Sequence, residues 1–207
     1  MTNLCSEERF LKDIKNHTME IIRDEKLYRH ISFTRNGSSV YRFDLITWPG
    51  HLCITGDCGT YVFRRLTDMF EFFRAEGSRT TKKLAIKPYY WGEKLESIGT
   101  NAGHREFDSD HFERRVTEHF HDFFEDKCDV AKAECWRDIE ESVLSSSNDE
   151  HEAYAAVSDF SFDTPKHMDD FHFQDFFDGG ETGRYTFHYI WCLYAIAYGV
   201  QEYDKQK

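Results

Sequence analysis

Residues 27–66, LYRHISFTRNGSSVYRFDLITWPGHLCITGDCGTYVFRRL, alternate between apolar and polar side chains and are cut by turn residues at short intervals. Ile31 and Phe33 share one face of an extended run. Tyr41, Phe43 and Leu45 share a face of the next, and Leu52 with Ile54 and Tyr61 with Phe63 repeat the pattern. A period of two belongs to a strand with one buried face. Asn36-Gly37, Pro49-Gly50 and Gly56-Asp57-Cys58-Gly59 separate the runs. Asn-Gly tolerates the positive φ that a tight hairpin turn needs. These residues predict a four-stranded antiparallel meander with one face on helices and the other partly polar.

Helical patterns flank the meander. Residues 6–22 read as a helix with Ser6 as N-cap, Glu7 and Glu8 in its first turn, and Phe10, Ile14 and Ile21 near one face. Residues 66–77 read as another, capped by Thr67 and ended by Gly77. GEKLESIG (92–99) is a short helix at most. From residue 109 the period is helical, with an Asp108 N-cap and a Phe107–Phe112 staple. SSSND (145–149) reads as a loop and 150–160 as a short helix; 184–203 is a helix apolar nearly all round, hence central. The expected class is α+β. Residues 1–100 form a subdomain with an antiparallel sheet, and 101–207 a mainly helical, acidic half around the last helix, unless the two make one continuous domain.

Charge divides the chain as sharply. Residues 1–100 carry 16 Lys/Arg against 13 Asp/Glu, whereas 101–207 carry 10 against 25. Aromatic residues make up 16% of the chain, and disordered chains are poor in them, so this acidity sits on a folded core. Phosphates would be repelled by the second half, which argues against direct nucleic-acid binding there. Six cysteines without a C-x-x-C pair, and the polar start MTNLCSEERF, point to free thiols in a reducing cytoplasm. The longest apolar run, YIWCLYAIAYGV (189–200), is too short to span a membrane.

His167, His172, Asp169 and Asp170 are the best local metal-type cluster, but no H-E-x-x-H or similar spacing accompanies them. Cys58 sits on a turn, where reactive groups occur, yet Asp57 beside it opposes thiolate formation. RTTKKLAIKPYYW (79–91) interleaves lysines with rings as nucleic-acid surfaces do. It is one short patch, and a loop anchored to the core by its rings accounts for it. No catalytic residue, metal or cofactor is assigned.

The segment DFSFDTPKHMDDFHFQDFFDGGE (159–181) is different. It holds seven carboxylates and six phenylalanines with Lys166 its one basic residue. Ordinary surfaces mix both signs, and unmixed charge costs self-repulsion. Docking on a basic surface, of the kind that nucleic-acid-binding proteins carry, explains the composition. Asp159, Asp163, Asp169, Asp170, Asp175 and Asp178 would supply charge. Exposed members of the phenylalanines, Phe171 and Phe173 first among them, would supply anchors.

Residues 43–74 carry Ile46-Thr47-Trp48-Pro49-Gly50-His51, then Gly56-Asp57, Gly59-Thr60-Tyr61-Val62-Phe63 and Asp68-Met69-Phe70, with PYYWGEKLES at 88–97. This pattern resembles a family of small accessory proteins, without assigned activity, encoded in proteobacterial phages and prophages. The resemblance covers about the first half and brings no catalytic residues. It implies a life in the host bacterial cytoplasm and a role against host defence. Together with the charge, the expectation is a stoichiometric inhibitor of a defence complex, an anti-CRISPR protein above all. Its partner would be a basic nucleic-acid-binding host complex, with no membrane and no direct nucleic acid. The alternative is a metal-dependent enzyme using the histidines and aspartates of 104–178.

Overall fold

The computed structural model describes residues 5–74, 83–100, 102–125, 129–164, 169–176 and 183–207. The protein is α+β and divides into two units, 1–105 with 185–207, and 106–184.

In the first unit, α1 (Glu7–Asp13) begins under Ser6, whose hydroxyl accepts the Arg9 amide. The helix expected to reach residue 22 stops there, and β1 (Thr18–Glu25) takes its place. The β-branched pair Ile21-Ile22 favours a pleated surface, and pairing with the following strand decides the matter. β2 (Tyr28–Arg35), β3 (Ser38–Trp48), β4 (His51–Gly56) and β5 (Gly59–Arg64) follow as antiparallel neighbours. Gly37 and Gly50 adopt φ of 74° and 83° in the first two turns, conformations that L side chains disfavour.

α2 (Met69–Phe73) is capped by Asp68, not Thr67: the Asp68 side chain accepts the Phe70 amide. Gly77, expected to end this helix, lies outside the described residues. α3 (Pro88–Gly92) precedes β6 (Leu95–Ile98), which pairs with β5 where a short helix was expected. The sheet therefore has six strands in sequential order, not four. Ile31, Leu45, Ile54 and Tyr61 lie opposite one another in one row across its inner face, all fully buried.

β7 (Arg105–Phe107) leads into the second unit, whose first helix is α4 (Ser109–Phe123). Asp108 caps α4 by accepting the His111 amide. The Phe107 and Phe112 rings meet at 5.7 Å, the hydrophobic staple that the sequence indicates. α5 (Asp129–Ser142) and a 3-10 turn at Leu144–Ser146 lead to α6 (Glu150–Asp159), capped by Asp149. β8 (Ser161–Phe162) pairs antiparallel with β9 (Phe171–His172), and β10 (Gly183–Tyr185) and β7 form a second two-stranded sheet. The core of this unit is Phe112, Val116, Phe120 and Phe124 against Cys135, Ile139, Val157, Phe171, Phe173 and Phe176.

α7 (Phe187–Asp204) closes the chain. Expected at the centre of the acidic half, it instead completes the core of the first unit. The apolar face of a sheet needs an apolar cover, and α7 supplies it: a Cβ added at Gly199 would run into the Leu45 side chain. Arg29–Asp68 and Arg74–Asp204, both bidentate, tie the end of this layer together. No helix among the described residues is long and apolar enough to cross a membrane.

Candidate functional site

The charge imbalance coincides with a structural unit. Residues 106–184 hold 23 carboxylates and 7 Lys/Arg, a net −16, while the remainder of the chain carries +4. Of the 19 carboxylate side chains described in this unit, 17 are exposed; Asp108 and Asp138 are half-buried. Seven basic side chains cannot partner 23 carboxylates one to one. Arg184 pairs with Glu106 at 2.8 Å and Arg137 with Asp138 at 3.7 Å.

Local structure sorts the rings from the charges. Along 159–163 the chain alternates, so that Phe160 and Phe162 pack on the unit's core while Asp159, Ser161 and Asp163 face out. β9 repeats this with Phe171 buried and His172 exposed. Phe173 and Phe176 follow inward, and Gln174 and Asp175 outward. Phe171 lies 5.0 Å from the Phe123 ring and 4.9 Å from the Phe173 ring, in edge-on contacts typical of aromatic cores.

Phe171 and Phe173 are thus core residues, 1% and 8% exposed, and not surface anchors as the composition suggested. The transfer of each ring out of water is already used to hold the segment down. Asp159, Asp163, Asp169, Asp170 and Asp175 are all exposed; Asp178 and Phe177 lie outside the described residues. Asp170 also closes its own loop, accepting the Thr164 amide at 3.0 Å, while the Thr164 hydroxyl donates to the Asp169 carbonyl. Asp175 adopts φ 53°, a left-handed conformation that Asp and Asn tolerate better than most residues.

Two residues that sequence reasoning missed hold this segment from beneath. Arg115 and His119 are one turn apart on α4. Arg115 donates to the Phe176 carbonyl, and the His119 ring lies 6.0 Å from Phe173 and 5.5 Å from Phe176. Burial, then the Arg115 charge, pushes the His119 imidazolium toward the neutral form despite Asp122 and Asp175. Their spacing of four suits any helix face, so nothing in the sequence marks them.

The other candidates resolve simply. Cys58 is buried, and burial first, then the charges of Asp57, Cys5 and Asp13, pushes its thiol up to about 12, which favours the thiol over the nucleophilic thiolate near neutral pH. The described cysteines are free thiols. His172 is exposed and His167 lies outside the described residues. Among the described residues no three His, Cys, Asp or Glu side chains converge to hold a metal. In the basic stretch, Trp91 is buried, but Tyr89 and Tyr90 are 69% and 43% exposed.

Compared with protein-family models, curated proteins and solved structures, the chain matches none.

Proposed function

We propose that this protein is a phage- or prophage-encoded inhibitor of a bacterial defence complex, a CRISPR effector above all. It acts stoichiometrically, laying the acidic surface of the 106–184 unit on a basic surface that otherwise holds nucleic acid. The observation that carries this reading is the segregation within that unit: 17 of the 19 described carboxylates are exposed, acidic side chains outnumber Lys and Arg 23 to 7, and rings lie buried beneath. The phage setting rests on the resemblance of residues 43–74.

Because the rings are committed to the core, affinity comes from charge. Binding of that kind is steered from a distance and weakens steeply as salt screens it. The carboxylates compete with phosphates for the same arginines and lysines.

The test is a pull-down of the tagged protein from lysates carrying defined defence systems, washed at low and then high salt. Recovery of a basic nucleic-acid-binding complex, lost at high salt and displaced by DNA or RNA, supports the reading. Replacing Asp159, Asp163, Asp169 and Asp175 by Asn should weaken binding about 30-fold, at about 0.5 kcal/mol per charge. Full binding by the quadruple variant would remove this segment as the interface.

A further inference from the structure

The first unit carries a groove on the outer face of its sheet, formed wholly by residues of that unit and independent of the function proposed for the other. The strand ladder sets it up. Arg23 lies opposite His30, and His30 opposite Ile46. Between Ile21 and Arg23 the β1–β2 register slips, so Ile22 is an extra residue. Such a bulge re-aims side chains and is common beside functional sites. Here it adds Ile22 to the groove that Arg23 lines.

The groove has a volume of about 580 Å³, with Ile22, Tyr28, Ile46 and Trp48 as its apolar lining and Arg23 and His30 among its polar groups. That is the size of a small-molecule site. Ile22 and Tyr28 are 53% and 47% exposed, large apolar side chains left open to water.

Behind the imidazole sits Asp44, 7% exposed. His30 Nε2 faces Asp44 Oδ1 at 3.6 Å, and neither buried atom has a hydrogen-bond partner. Leaving such groups unsatisfied is costly, so the arrangement calls for a reason. It fixes one ring nitrogen toward the sheet while a third of the His30 side chain stays accessible. The carboxylates at hand are engaged: Asp44 accepts from Arg42 at 3.0 Å, Asp68 from Arg29, and Glu25 from Arg23 at 2.7 Å. The Arg23–Glu25 pair is more than half exposed on both sides. The Arg23 guanidinium also lies over the Tyr28 ring, 5.5 Å from its centroid, and with five N–H donors it can bond a second anion without releasing Glu25.

We propose that this groove binds a small planar aromatic anion. Its flat body lies against Tyr28, Trp48, Ile22 and Ile46, and its negative head accepts hydrogen bonds from Arg23 and His30.

The test uses the full chain and two fluorescent probes that differ by one sulfonate: 1-anilinonaphthalene-8-sulfonate and neutral N-phenyl-1-naphthylamine. The sulfonate should saturate one site. Tyr28→Ala and Trp48→Ala should each weaken it about tenfold, the scale of an aromatic contact. Trp48→Phe, which keeps a ring, should recover most of that loss. Arg23→Gln and His30→Gln should weaken the sulfonate at least fivefold, an effect of order 1 kcal/mol, and leave the neutral probe within about twofold. Melting curves identify any variant that fails to fold; Tyr28 and Arg23 are exposed, so their variants decide the outcome if Trp48→Ala unfolds. Unchanged titrations in the Tyr28 and Arg23 variants would overturn the proposal. Equal losses of both probes in Arg23→Gln would overturn the anionic head.

Discussion

Arg115 on α4 donates to the backbone carbonyl of Phe176 and stands over the same residue's ring, 4.8 Å from its centroid. One cation thus holds the acidic segment by main chain and side chain together. Arg115→Ala should destabilise the 106–184 unit by about 1–3 kcal/mol, the range of a charged hydrogen bond with a cation–π contact. Urea unfolding measures this, and amide exchange should quicken first at residues 171–176. Exchange as slow as in the wild type would show that the rings alone fix the segment.

Phe171 separates a core role from a contact role. It touches Phe123, Phe160 and Phe173 and is 1% exposed. Phe171→Ala should cost about 3–5 kcal/mol of stability and abolish partner binding only by unfolding the unit. Phe171→Leu, closer in volume, should refold the unit and restore binding. A Leu variant that folds like the wild type but does not bind would make Phe171 a contact residue.

The −16 charge of the 106–184 unit has its own stability signature. Like charges on one small surface repel, and salt screens them over about 10 Å at 0.1 M. Replacing Asp159, Asp163, Asp169 and Asp175 by Asn should leave stability equal or raise it by about 1 kcal/mol at low salt, roughly a few tenths per charge. Asn keeps the left-handed backbone of Asp175 accessible. Melting at low and high salt checks this: the gain should vanish at high salt. A loss of stability at low salt would mean that these carboxylates are paired.

The legible parts of the sequence were those where local chemistry and burial agree. Asp108 with Phe107 and Phe112, and the turns at Asn36-Gly37 and Pro49-Gly50, act within a few residues of themselves. Residues 18–22 and 95–98 are strand against their helical pattern because a partner strand sets their state: Ile21 lies opposite Ile31, and Ile98 opposite Tyr61. In the acidic segment composition marked the charged surface, but without a sustained period it could not say which way Phe171 and Phe173 face. The bulge at Ile22 and the burial of Asp44 leave no local trace, since both depend on register.

His119 gives the acidic segment a pH dependence. Burial, then the neighbouring Arg115 charge, holds its folded-state pKa below the ordinary imidazole value of 6.5, against Asp122 on α4 and Asp175 on the turn. A group whose folded pKa is depressed binds its proton more readily when unfolded. Its stability contribution is therefore full above pH 6.5 and is lost as pH falls from there through the folded pKa. Between pH 7.5 and pH 5 protonation of His119 should lower the melting temperature of the 106–184 unit. His119→Gln, which does not titrate, should fall less over the same range, and the difference between the two curves isolates His119 from the unit's other histidines. Parallel curves would show that the ring between Phe173 and Phe176 accepts a proton at no cost to packing.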